Sequence, residues 1–326
     1  MLTRPQTIIL IVLLFLTTWT YAGQREDVGY TQLEDRLGNS TPTGYGITVS
    51  AYEPAWDAIG AKGSDNPKGW IPAITEENDH IFTIEMDQGV PLNTRSGNTS
   101  SHAAAVSRYM FGKEHGVSQE LNAVIYHELK DFLGFLLYPR TFNQATDPFY
   151  RDAVFESSVN NFSAIGNYGI NNNGFLYRFD WATAREDTVN LVSSGNNENT
   201  FSDPIFSSSL NSIYVGLTSG QHSRFTNKYH YGVQNRPDVV TPNENTSRGT
   251  GTITGITAVL METANNSQIS ELGVTQANTP ILNAKRSETM KAILMAGADR
   301  TTTNSRENVY PRDKDGNWIR DPDGKF

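Results

Sequence analysis

Short β-prone runs and helix-like runs alternate along this chain, and no other feature limits its fold so much. Residues 47–51 (ITVSA) follow Gly44 and Gly46 and predict a strand that ends near Glu53. Residues 55–80 read as loop and 81–86 as a second strand. Residues 102–111 (HAAAVSRYMF) predict a helix capped by Ser100 or Ser101. A strand at 123–126, a helix around 127–137 and a strand at 158–163 follow. Helical character over 174–186 leads to a strand at 188–192, which runs straight into Ser193, Ser194, Gly195 and Asn196. A strand at 212–217 and helices at 253–264 and 288–296 complete the pattern. Strands joined through helices pair in parallel, and the helices then cover both faces of the sheet. The expected fold class is therefore α/β, three layers with a central mostly parallel sheet flanked by helices. No unit of about 20–50 residues recurs, which excludes a solenoid.

The chain has the means to fill such layers. It is 37% apolar and 19% charged over 326 residues, which suits one large α/β domain with short tails and excludes a disordered or collagenous polymer. Lys and Arg number 26 against 35 Asp and Glu, a net charge of −9 that argues against nucleic acid as a partner. The absence of cysteine excludes disulfide scaffolds, thiol catalysis and cysteine-built metal sites. At the start, Arg4 precedes an apolar run at 8–16 and the small residues Thr20 and Ala22. That is the layout of a secretory signal peptide cleaved after Ala22. The run is shorter than the ~20 residues that a membrane span needs, so no membrane association is expected after cleavage. The organisation read from these features is a signal peptide at 1–22, a polar N-terminal linker without periodicity at 23–43, one domain at 44–300 and a polar tail at 301–326. Export without disulfides points to secretion or to a bacterial cell envelope, in the periplasm.

Chemistry is suggested by three residues far apart in sequence. Glu53 stands at the carboxyl end of the first strand, His102 at the amino end of the alanine-rich helix, and Ser247 in a polar loop that runs into a helix. A serine hydroxyl becomes a nucleophile when an imidazole takes its proton, and the imidazole needs an acid to fix its tautomer. Strand ends and helix starts meet on one edge of a parallel sheet, where α/β proteins keep their sites. Asp57, four residues beyond the strand end, is the alternative acid.

The order acid–His–Ser and the surrounding residues resemble the subtilisin-like serine peptidases (subtilases) over residues 44–298. GYGITVSAYE resembles the family's acid-bearing strand, with Glu53 where an Asp normally stands. SSHAAAVSRYMFG, followed by Gly116 to Ser118, resembles the histidine helix and the turn beyond it. VNNFS at 159–163 resembles the strand that receives the substrate backbone, and VNLVSSGNN the strand leading to the oxyanion asparagine, which falls on Asn196. RPDVVTP at 236–242 is similar to the segment before the nucleophile, and Gly255 lies eight residues past Ser247, where the family has its helix glycine. SETMKAILMAGA at 287–298 resembles the late helix of the domain.

The resemblance implies a three-layer subtilisin-like fold and peptide-bond hydrolysis through an acyl-enzyme. Ser247 would attack the scissile carbonyl, His102 would carry the proton and Glu53 would orient His102. The amide of Asn196 and the N–H of Ser247 would hold the oxyanion. A peptide or protein is the implied partner, the expected state is a monomer, and no cofactor is required. Five positions depart from the family pattern: Glu53 for Asp, Ala103-Ala104 for Gly-Thr, Asn245 for Gly, and Gly251 for the usual proline. Those departures support a second expectation, a catalytically impaired subtilase-shaped scaffold that binds peptide in its groove. A third is an unrelated adhesin rich in Asn, Ser and Thr. Asp313, Asp315 and Asn317 copy the first positions of a calcium loop, but Trp318 stands where its glycine belongs, so a structural calcium ion has no supporting motif.

Overall fold

A computed structural model describes residues 23–54, 56–57, 68–80, 84–86, 90–91, 99–129, 132–133, 155–164, 172–196, 206, 209–220, 222, 237–266 and 268–298. In order, the elements are α1 (Gln24–Asp27), α2 (Tyr30–Leu37), β1 (Thr48–Glu53), β2 (Trp56–Asp57), β3 (Lys68–Gly69), β4 (Ile84–Met86), β5 (Val90–Pro91), α3 (Ser101–Phe111), β6 (Ala123–Glu128) and β7 (Val159–Phe162). They continue with α4 (Asn172–Glu186), β8 (Val189–Ser193), β9 (Ile213–Leu217), β10 (Val239–Thr241), α5 (Thr246–Ala264), β11 (Leu272–Val274), β12 (Pro280–Leu282) and α6 (Ser287–Gly297). The main sheet has eight strands in the order β10-β9-β8-β7-β1-β6-β4-β5. Every neighbouring pair is parallel except the edge pair β4–β5. β1 sits inside it, with β6 on one side and β7 on the other, so the chain turns back at this point in the sheet. A crevice outside the carboxyl ends of the strands forms at such a reversal.

Side-chain alternation divides the interior into two cores, as a sheet covered on both faces requires. Val49, Ala51, Leu191, Ile213 and Val215 face one core with Val106 and Met110 of α3, Ile253 and Met261 of α5, and Met290 of α6. Tyr52, Val192 and Tyr214, one residue out of phase, face the other with Phe162 of β7 and Phe179 of α4. There Tyr52 stacks on Phe162 at 4.3 Å and Phe179 on Phe206 at 3.9 Å. Helices, sheet and helix form the three-layer α/β arrangement that the alternation predicts.

Three expectations need correction. The segment 23–43 is no featureless linker: α1 and α2 occupy most of it, joined through Gly29 in the left-handed region. Tyr30 is buried against Val117 and Val259, and its hydroxyl donates to the Pro42 carbonyl at 2.8 Å. Helices this short give too few turns for periodicity to show in sequence. The helix expected around 127–137 does not begin at His127, because β6 runs on to Glu128 by pairing His127 and Glu128 with Tyr52 and Glu53 of β1. The expected loop at 55–80 includes the small β2–β3 ribbon. The signal peptide, the tail at 301–326 and its calcium-like motif lie outside the described residues. No helix among the described residues is long and apolar enough to cross a membrane.

Candidate active site

His102 and Ser247 occupy equivalent places on two helices. Ser100 caps α3 by accepting the Ala103 N–H at 3.2 Å, and Asn245 caps α5 by accepting the Arg248 N–H at 2.9 Å. Each of the two residues is therefore the second of its helix, where the backbone N–H has no intrahelical acceptor and the helix end carries partial positive charge. Sequence reading put Ser247 in a loop before a helix at 253–264; α5 instead begins at Thr246. Three glycines and several threonines in TSRGTGTITG disfavour a helix, the glycines by ~0.5–1 kcal/mol each. Close packing overrides that tendency.

The glycines are where α5 meets its neighbours. A Cβ on Gly251 would stand 2.7 Å from the Val106 carbonyl oxygen, and one on Gly255 would stand 2.5 Å from that of Met110. These two contacts share one offset, 251 − 106 = 145 and 255 − 110 = 145, so α3 and α5 run side by side in the same direction. One turn earlier the same offset separates His102 and Ser247 (247 − 102 = 145), which places them level along the two helices, and the caps Ser100 and Asn245 obey it too (245 − 100 = 145).

Glu53 completes one half of the site. It is fully buried at the end of β1, and the Nδ1–H of His102 donates to its Oε2 at 2.5 Å. Burial alone would lower the His102 pKa, but the Glu53 charge and this hydrogen bond outweigh it and hold the imidazole above its ordinary value. The second carboxylate oxygen, Oε1, is buried with no hydrogen-bond partner among the described residues; leaving such an atom unpaired typically costs ~1–3 kcal/mol. The extra methylene of Glu relative to Asp is thus accommodated, since the carboxylate reaches the ring within hydrogen-bonding distance. Asp57 stands in the separate β2–β3 ribbon, opposite Lys68. Beneath His102, the Tyr126 hydroxyl donates to Ser107 Oγ at 2.5 Å, and Ser107 donates to the Ala103 carbonyl at 2.6 Å. Burial, and secondarily the Glu53 charge, push the Tyr126 phenol well above its ordinary value against the opposing Ser107 bond, so it remains a donor.

The other half is held by different bonds. Ser247 Oγ donates to the Ser163 carbonyl at 2.7 Å, and the single hydroxyl proton of Ser163 is shared between Asn161 Oδ1 at 2.6 Å and the Ser247 carbonyl at 3.1 Å. Ser163 follows β7 directly, and the β1–β7 register (Val49↔Val159 through Ala51↔Asn161) carried two residues further sets it beside Glu53. Asn196 reaches the start of α5 because Gly195, at φ 83°, turns the chain after β8. Its Oδ1 accepts both the N–H and the hydroxyl of Thr246, each at 2.8 Å, and Ser193 Oγ donates to Thr246 Oγ1 at 2.7 Å. With the oxygen so fixed, the amide N–H₂ of Asn196 points away from Thr246. Asn196 itself is exposed.

The structure thus brings Glu53 and His102 into contact, joins Asn196 to the residue before Ser247, and binds Ser247 to the strand beside Glu53. Sequence reasoning did not single out Ser163 or Thr246. Aligning VNNFS with ITVSAYE as neighbouring parallel strands exposes the first; the second has no signal beyond its place next to Ser247. Among the described residues, no group of three or more His, Asp or Glu side chains could hold a metal ion.

No protein-family model matches the chain, and no curated protein matches it. Among solved structures it is similar to a cold adapted subtilisin-like serine proteinase, at 15% identity over 84% of this chain and 89% of that one, with a TM-score of 0.47. It is similar to the prenylagaramide maturation protease PagA at 11% identity, covering 82% and 94% of the two chains, with a TM-score of 0.43. It is also similar to the A-subunit of the AB5 toxin from E. coli at 13% identity, covering 84% and 99%, with a TM-score of 0.44.

Proposed function

We propose that this chain is a secreted serine endopeptidase that cleaves peptide bonds through Ser247, His102 and Glu53. The observation that carries the reading is the buried Glu53–His102 couple at 2.5 Å on a helix whose register with α5 matches His102 to Ser247. The Glu53 carboxylate holds Nδ1–H, so Nε2 is the ring nitrogen that serves the hydroxyl. The Ser247 hydroxyl leaves the Ser163 carbonyl by a χ1 rotation, gives its proton to Nε2 and attacks the scissile carbonyl. The oxyanion that forms is received by the Asn196 amide and the Ser247 N–H, where one donor is worth about 3 kcal/mol. His102 returns the proton to the departing amine, and water then hydrolyses the Ser247 acyl ester by the same route in reverse. This sequence uses no cofactor and needs only a monomer and a peptide or protein substrate.

One observation favours a second reading, a scaffold that binds peptide without turnover: Ser247 Oγ is engaged by Ser163. Two measurements separate them. With an activated ester, the enzyme gives a burst of product equal to its own concentration, and an unfolded protein substrate is cut; Ser247→Ala removes both. A scaffold binds peptide equally before and after Ser247→Ala and yields neither burst nor cleavage.

A further inference from the structure

We propose that Gly251 is a positioning residue: by letting the α5 backbone lie directly on the carbonyl of Val106, it sets the spacing between Ser247 and His102. This rests on the catalytic reading of those two residues. Gly251 stands four residues, about one turn, beyond Ser247, and Val106 four beyond His102. The contact therefore lies one turn from the site on both helices. A Cβ at 251 would meet Val106 O at 2.7 Å, the Val106 carbonyl carbon at 3.5 Å and Val106 Cγ1 at 3.3 Å. The nearest of these is backbone inside a helix, which cannot rotate aside, so the helices must part. Gly255 makes the same kind of contact a turn further on, at 2.5 Å from Met110 O. On its other side α5 is held to the strand ends: a Cβ on Gly249 would stand 2.5 Å from Thr241 Oγ1, and Thr254 Oγ1 accepts the Asn161 amide at 2.8 Å. An α5 anchored there and pushed from Val106 tilts at its amino end. A displacement near 1 Å in a reacting group can lower a rate about a hundredfold. Gly251 thus accounts for a departure from the pattern that the sequence resembles: a proline ring would fill the space that this crossing closes.

The test is the rate at which a fluorophosphonate probe labels the full chain, measured against probe concentration and alongside the downfield proton NMR signal of His102 Nδ1–H. The limiting rate constant and the apparent probe affinity are read separately from the final labelled fraction. Loss of folded protein lowers that fraction and leaves the rate constant alone. Gly251→Ala should lower the limiting rate constant ten- to a hundredfold, with the affinity and the Nδ1–H signal retained. Gly297→Ala, at a position where no heavy atom of the described residues lies within 4 Å of where a Cβ would stand, should match the parent chain. If Gly251→Ala gives no folded protein, Val106→Ala decides: it removes the 3.3 Å Cγ1 contact without a clash and should lower the rate constant several-fold. A rate constant equal to the parent's in Gly251→Ala, or in Val106→Ala where the first does not fold, overturns the proposal. A parent chain that is folded and never labelled at Ser247 overturns the catalytic reading instead.

Discussion

The two halves of the site are built to different states of readiness. Glu53 and His102 come from a strand end and a helix start, and their bond exists before any substrate arrives. Ser247 and Asn196 are anchored just as firmly, but to the frame: the hydroxyl to the Ser163 carbonyl and the carboxamide oxygen to Thr246. The Glu53–His102 half leaves one buried Glu53 oxygen without a partner among the described residues. The Ser247 half has satisfied bonds, one of which the proposed reaction would give up. Preorganisation of the first and release of the second would together set the barrier.

Disabling the prepared half should have the largest effect. Glu53→Gln keeps the side-chain shape but loses the charge that holds the Nδ1–H tautomer, so kcat/KM for peptide cleavage should fall by about 10³- to 10⁴-fold. On the other half, Asn196→Ala should lower kcat by about 10²- to 10³-fold while KM changes little; equal losses in binding and turnover would remove its oxyanion role. Glu53→Asp draws the carboxylate back by about one bond length, and the expected loss is about ten- to a hundredfold. Ser163→Ala should cost the least, a few-fold in rate, since the acceptor of the Ser247 hydroxyl is the backbone carbonyl and survives the change. Steady-state kinetics on purified variants ranks all four.

The raised His102 value sharpens the same contrast through pH. The imidazole must be neutral to accept a proton, so the acid limb of kcat/KM should have its midpoint above the ordinary histidine value of about 6.5. In Glu53→Gln the raising influence is gone while desolvation remains, and the midpoint should move down. Because the folded-state value lies above the unfolded one, the pair stabilises the protein fully below about pH 6.5. That contribution fades as pH rises through the raised value. Thermal unfolding of the parent chain and of Glu53→Gln across this range should converge at high pH.

The strands that lead to Glu53 and Asn196 and the start of the His102 helix could be read from sequence because turn residues and caps mark them. ITVSAY leads to Glu53, Ser100 caps the His102 helix, and VNLVSSGNN leads to Asn196. The layers followed from alternation alone. The start of α5 could not be read, because glycine and threonine argue against a helix until the Val106 and Met110 carbonyls are seen against Gly251 and Gly255. The same holds for α1 and α2, whose few apolar residues find partners such as Val259 more than two hundred positions away. Of Glu53, the preferred acid, and its alternative Asp57, the first meets His102 and the second stands in the β2–β3 ribbon; spacing alone left both within a few residues of the strand end.

The dependence of Ser247 on His102 is tested most directly by intact-mass analysis and peptide mapping after fluorophosphonate treatment of the parent chain, Ser247→Ala and His102→Ala. One adduct on Ser247 of the parent, absent from Ser247→Ala and formed at least about a thousandfold more slowly in His102→Ala, is the expected result. A folded parent that takes no adduct, or a His102→Ala chain labelled at the parental rate, would contradict it.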